Sequence, residues 1–214
     1  MQKDKELIET GRPSSLLRFY EWESLCITTG IFVDPKDFVD LNACAERGIE
    51  IAKRPTGGGL LFHGKDIPFT LFYPTNHPLY ALPVAQSCER INREIVTALS
   101  PWLYLDEGVC EVKGGERCQL CMAQKTVFDI LWSGYKIGGC AQRKTKEGLL
   151  HQVSLFFENP CWDVISRLLC REEDLYSMQK ATRSFETCMK TLPSRREIQK
   201  AIKNKFLQSE CCDG

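Results

Sequence analysis

No stretch of the sequence approaches the roughly 18 consecutive apolar residues that a membrane-spanning helix needs, so the chain is expected to act outside the bilayer. Charge of either sign is not in excess: 28 Lys and Arg offset 28 Asp and Glu, and the sequence pI is about 6.8. A chain without a basic surplus does not advertise nucleic acid or an anionic membrane as its main partner. The opening MQKDKELIET carries no apolar h-region, which argues against a secretory signal and for a soluble, cytoplasmic protein. Internal repeats, low-complexity tracts and linker-like runs are also missing. Histidine is scarce: His63, His77 and His151 are the three, none at ligand spacing from another.

Cysteine, by contrast, is abundant, with 12 residues at irregular spacing. A chain of 214 residues without a secretory start does not fit a small disulfide scaffold. One C-x-x-C occurs, Cys118 to Cys121, but the second pair that a zinc site would want is absent, and no metal is expected. Most of the cysteines are expected to be ordinary small buried residues. With 43% apolar residues the chain can bury one core but hardly two, so a single domain over 1–214 is expected, with a loose tail at 207–214.

The local pattern alternates strands and helices. Residues 2–9 read as a helix stopped by Gly11 and Pro13, and Leu16–Trp22 and Ser24–Thr28 as two strands. Asp34-Pro35 opens a helix that runs through Phe38, Leu41 and Ala45 to Gly48. Strands follow at Ile49–Lys53, Leu60–Phe62 and Phe69–Tyr73. Val84, Cys88, Ile91, Ile95 and Leu99 then recur at helical spacing up to Ser100-Pro101. Val109–Val112, Val127–Trp132 and Lys136–Ala141 read as strands, the last two joined by the turn Ser133-Gly134. Leu149–Phe157 is a further strand, 161–170 a helix, and the capping box Ser194 to Glu197 opens the last helix. The expected class is α+β: one domain with a mixed, mainly antiparallel sheet flanked by helices.

Two stretches carry chemistry. In the first, Arg54-Pro55-Thr56-Gly57-Gly58-Gly59 runs through Leu60, Leu61 and Phe62 to His63. Adjacent glycines let backbone amides approach a carbonyl or phosphate oxygen closely, and Arg54 and His63 add a fixed charge and a titratable donor. The same residues also suit a plain tight hairpin. It is neither a Walker A loop nor a dinucleotide-binding fingerprint. In the second stretch, Lys136 precedes Ile137-Gly138-Gly139-Cys140-Ala141-Gln142-Arg143. A lysine facing inward from a strand needs a counter-charge or an electron-rich ligand; facing outward, it is a solvated hairpin residue beside a glycine bulge.

These two stretches, in this order and about 80 residues apart, resemble the lipoate–protein ligase and octanoyltransferase family, which is related to biotin–protein ligases. The first is similar to that family's Arg-x-Thr/Ser-Gly-Gly-Gly-x-x-x-His ligand loop. The second resembles its Gly-x-Lys-Ile-x-Gly-Ser-Ala-Gln-Arg block, with Cys140 in the serine's place. Leu16, Arg18, Phe19, Tyr20 and Trp22 look like the family's early strand. The resemblance runs from residue 1 to about residue 157. It implies a biotin/lipoyl protein ligase-like fold and an enzyme that acylates a lysine of a partner protein.

Within the family, ligases activate a free acid with ATP, whereas transferases take an acyl group already held as a thioester. Cys121 stands where some octanoyltransferases carry an acyl-accepting cysteine, 15 residues before Lys136. The Gly-Asn pair usual in ligases is missing after His63, where Gly64-Lys65-Asp66 stands. The resemblance therefore implies Cys121 as nucleophile and Lys136 as its cationic partner. Arg54, Thr56, Gly57, Gly58, Gly59, His63, Gly138, Gly139, Cys140, Ala141 and His151 are implied around the substrate, with Leu60, Leu61 and Ile137 along the acyl chain. Implied partners are acyl carrier protein and lipoyl-domain proteins (2-oxoacid dehydrogenase subunits and the glycine cleavage H protein); a domain of this size is expected to be a monomer. The implied ligand is an octanoyl or lipoyl group with no tightly bound cofactor; the ligase alternative would use ATP and Mg²⁺. The family's His-His-Gly or Gln-His-Gly is reduced here to His151-Gln152-Val153, which puts a base role for His151 in doubt.

Overall fold

The structure, a computed structural model, describes residues 1–106, 120–126 and 129–212. The expected strand Val109–Val112, Cys118, and the first two residues of the strand expected from Val127 lie outside those residues. The mixed sheet expected from the sequence is divided in two. An antiparallel sheet of five strands has the order β1-β5-β8-β7-β6, built from β1 (Leu16–Phe19), β5 (Asp66–Tyr73), β6 (Ile130–Trp132), β7 (Tyr135–Thr145) and β8 (Gly148–Phe156). A smaller sheet has β2 (Cys26–Thr29) central, parallel to β3 (Glu50–Lys53) and antiparallel to β4 (Leu60–His63). The two strands expected near residues 16–28 thus part company, one into each sheet.

β5 and β8 are buried along their whole length, which is why they read as nearly continuous apolar runs. Alternate side chains serve opposite faces. Ile67, Phe69, Leu71, Leu149, Val153 and Leu155 pack under α4 (Val84–Leu99) and α8 (Arg195–Cys212). Phe72 and Leu150 turn the other way, onto Ile8 of α1 (Gln2–Thr10). The smaller sheet has its own core, with Ile27, Leu60 and Phe62 against α5 (Trp162–Ser166) and α6 (Glu172–Ala181) through Ile165 and Met178.

Caps explain where helices begin. Ser194 and Glu197 form the expected capping box: the Glu197 carboxylate accepts from the Ser194 amide at 2.8 Å, and Ser194 Oγ accepts from the Glu197 amide at 3.3 Å. Asp34 caps only a 3-10 turn over Pro35–Asp37, so the single helix expected there is broken. Asp40 starts a second helix, α2 (Leu41–Glu46), by accepting from the amides of Asn42 and Ala43. The backbone of Val39 is meanwhile drawn into a bridge with Leu169. That bridge also shortens the helix expected over 161–170 to α5. The tail expected to be loose from 207 continues α8 to Cys212, since no glycine or proline interrupts residues 195–212. Two short helices were not foreseen, α3 (Pro78–Ala81) and α7 (Phe185–Cys188).

The β6–β7 hairpin turns on Ser133 and Gly134, at φ +47° and +75°, the left-handed pair of a type I′ turn. Asp106 accepts both turn amides, at 2.9 and 2.7 Å. No helix among the described residues is long and apolar enough to cross a membrane.

Candidate active site

The glycine loop Thr56–Gly59 connects β3 to β4, and it is folded by Arg54. This guanidinium is buried and donates to the Thr28 carbonyl and hydroxyl at 3.1 and 2.7 Å, and to the Gly57 and Gly59 carbonyls at 3.2 and 2.7 Å. One arginine therefore holds both ends of the loop, leaving Gly58 at φ +89°, a backbone region that favours glycine. Gly30 lies so close to this turn that an added Cβ would sit 2.0 Å from the Gly58 carbonyl oxygen. Sequence reading did not mark Gly30, because a lone glycine carries no spacing signal.

Cys121 reaches the loop from outside the smaller sheet. Its amide donates to the Leu60 carbonyl at 2.9 Å, and its sulfur accepts from the Gly59 amide at 3.1 Å. Lys136, only 4% exposed, lies beside it. Its three ammonium donors go to the Cys121 carbonyl at 2.6 Å, the Gln124 carbonyl at 3.2 Å and Asp129 Oδ1 at 2.8 Å. The inward alternative for Lys136 holds, and Asp129 is the counter-charge. Gly139 makes room for this pair: a Cβ there would meet Asp129 Oδ1 at 2.9 Å and Lys136 Cε at 3.0 Å.

His63, at the end of β4, is held from both ring nitrogens. Its Nδ1 meets Asp66 Oδ2 and its Nε2 meets Thr28 Oγ1, both at 2.7 Å, while Trp22 stacks on the ring with centroids 4.6 Å apart. Arg54 also donates to Thr28 Oγ1, so that one hydroxyl joins the arginine to the His63–Asp66 pair. Burial alone would raise the Asp66 pKa. The neighbouring His63, with hydrogen bonds from His63, Ser154 Oγ and the Gly64 amide, outweighs burial and holds the carboxyl below its ordinary value. A depressed folded-state pKa contributes stability above the unfolded value of about 3.9, lost as pH falls through the folded value. Wild type is accordingly expected to resist urea better than Asp66→Asn at pH 7, with the gap closing below about pH 4. Unfolding midpoints that differ equally at pH 3 and pH 7 would contradict this.

The residues picked out from the sequence divide cleanly. Arg54, His63, Gly139, Cys140 and Ala141 join Cys121 and Lys136 around a cavity of about 60 Å³. Gly57, Gly58, Gly59, Cys140 and Ala141 join the same pair around an adjoining cavity of about 310 Å³. Thr56, Gly138 and His151 line neither. Thr56 donates instead to Gln152 Oε1 at 2.6 Å, whose Nε2 donates to Asp4 Oδ2 at 2.7 Å, tying the loop to α1. Gln152, not His151, faces the glycine loop, because one residue along a strand reverses the face. Leu61 borders the smaller cavity, whereas Leu60 and Ile137 belong to two different cores. A larger cavity, about 820 Å³, lies between β1 and α8; Leu16 and Phe19 of the early strand border it, but no residue of the glycine loop or of the Lys136 block does. The residues of the two motifs gather instead around the two smaller cavities beside Cys121.

Comparisons with known proteins address the family. The profile of the lipoyl protein ligase A/B catalytic domain matches residues 2–207. Relatives include proteins named octanoyltransferase LipM from Carboxydothermus hydrogenoformans, 26% identical over 136 residues (63% of this chain and 50% of the relative), and from Geobacillus kaustophilus, 25% identical over 169 residues (74% and 60%). The chain thus covers about half to three-fifths of their length. Among solved structures, a T. acidophilum protein with bound lipoic acid superposes with a TM-score of 0.77 at 20% identity, over 96% of this chain and 77% of that one. A lipoate-protein ligase A bound with ATP gives 0.76 at 20% identity, with the same coverage. Identity at that level speaks for a shared fold, and the profile, spanning all but eight residues, speaks for kinship: the chain belongs to the lipoyl protein ligase A/B catalytic-domain family.

Proposed function

We propose that the chain transfers an octanoyl or lipoyl group from a thioester carrier to a lysine of a lipoyl-domain protein through an acyl-enzyme on Cys121. The observation that carries this reading is the meeting of Cys121 Sγ with the Gly59 amide at the mouth of cavities that Lys136 also lines. The octanoyltransferase names of the relatives support it.

The Cys121 thiolate attacks the thioester carbon, and the carrier's sulfur leaves with the bonding electrons and takes up a proton. One thioester replaces another at nearly equal energy, so no nucleotide is required. The target lysine, as the free amine, then attacks the acyl-enzyme. Its proton passes to solvent, the Cys121 sulfur leaves, and a stable amide remains. Negative charge develops on the acyl oxygen in both steps. The loop amides and Lys136 stand ready to receive it, Lys136 by exchanging its longest bond, 3.2 Å to the Gln124 carbonyl, for the oxyanion. Acyl carrier protein and lipoyl-domain proteins are the partners of this reading.

Intact-mass analysis of the purified chain with octanoyl-acyl carrier protein, without ATP, tests it. A single octanoyl adduct that hydroxylamine removes is expected. No adduct, with lipoyl-domain modification only when ATP and free lipoate are supplied, would replace the transferase with a ligase.

A further inference from the structure

We propose that Cys88, Cys140 and His151 form a zinc-binding site on the wall of the Cys121 cavity. No spacing in the sequence suggests it, since the two cysteines lie 52 residues apart and the histidine stands alone. The fold assembles the set. Cys140 on β7 pairs with Val153 of β8, and Gln142 pairs with His151, so Cys140 and His151 are diagonal neighbours on one face of the sheet. That face is covered by α4, which carries Cys88. A hydrogen bond of 2.9 Å from Gln142 Nε2 to Ser87 Oγ fixes the helix at this height.

The donor atoms fit the ion. Sγ of Cys88 and Sγ of Cys140 are 3.1 Å apart, and His151 brings a ring nitrogen so that all three atoms lie within 4.8 Å of one another. Tetrahedral zinc with bonds of about 2.3 Å to sulfur sets its sulfurs roughly 3.8 Å apart, a separation reached by small side-chain rotations. His151 is completely buried, and the Cys140 thiol is the polar group its ring meets. A buried imidazole facing two thiols is a donor set that a metal ion suits better than a weak S–H bond does. Two thiolates, a neutral imidazole and Zn²⁺ sum to zero charge, which suits an interior site. Each thiol gives its proton to solvent as the ion binds. Both cysteines line the cavity of about 310 Å³, which provides water for the fourth position.

Titration of the full chain, freed of metal by chelator under a phosphine reductant, with Co²⁺ tests the site. One equivalent is expected to produce a thiolate-to-cobalt charge-transfer band with tetrahedral visible absorption, and Zn²⁺ is expected to bleach both. Cys88→Ala, Cys140→Ser and His151→Ala should each abolish or sharply weaken the band, whereas Cys121→Ala should leave it intact. Circular dichroism identifies the variants that fold, and Cys140→Ser, the smallest change, decides the matter if the alanine variants do not. No band in wild type, a band that survives in the folded variants, or one lost on Cys121→Ala would each overturn the proposal.

Discussion

Cys121→Ala is expected to lose acyl transfer by on the order of 10⁴-fold or more, because it removes the atom that forms the covalent intermediate while leaving the cavities in place. The side chain is neither fully buried nor part of either core, so the fold should survive, and thermal unfolding should hardly move. Single-turnover transfer from octanoyl-acyl carrier protein to a lipoyl domain measures the loss. Full activity in this variant would end the covalent mechanism. A hydroxylamine-labile adduct that persists in it, and vanishes in Cys140→Ser, would move the nucleophile to Cys140, which borders both cavities.

The second large effect concerns Lys136 and Asp129. Both side chains are almost inaccessible, at 5% and 3% exposure. The carboxylate is completed by the Thr126 amide at 2.6 Å, and the ammonium by two carbonyls. Removing one member leaves the other charge buried without its partner, a change that costs about 3–5 kcal/mol. Asp129→Ala and Lys136→Met are both expected to fall by about that amount in urea unfolding. A double variant, Lys136→Met with Asp129→Leu, should recover much of the stability, since it removes both charges together. It should stay inactive, because Cys121 would lose the bond to its carbonyl and the cation beside its sulfur. Recovery of activity together with stability would reduce Lys136 to a structural residue.

Local chemistry was legible in the sequence, and long-range polar partnership was not. The capping box at Ser194, the turn at Ser133-Gly134 and the long helix through Cys88 and Ile95 depend on residues close in the chain, and all appear where expected. The glycine loop and Lys136 were legible as motifs, and the structure brings them together at Cys121. Thr28, Asp66, Asp129 and Gln152 were not singled out, because each earns its place through contacts that depend on how strands pair. His151 shows the limit most plainly. Its motif position points to the glycine loop, but the parity of β8 delivers Gln152 there and turns His151 toward α4. Val39 shows another limit, where a bridge to Leu169 overrides a local pattern that favoured one continuous helix.

If Cys121 carries the acyl group as proposed, the contact between the Gly59 amide and its sulfur makes the loop a reporter of cargo. A thiolate is a good acceptor, whereas the sulfur of a thioester is a poor one. Loading the enzyme would therefore release the Gly59 amide at the moment an acyl oxygen arrives nearby. The empty and charged forms would differ in what one peptide group touches, with Arg54 holding the rest of the loop unchanged.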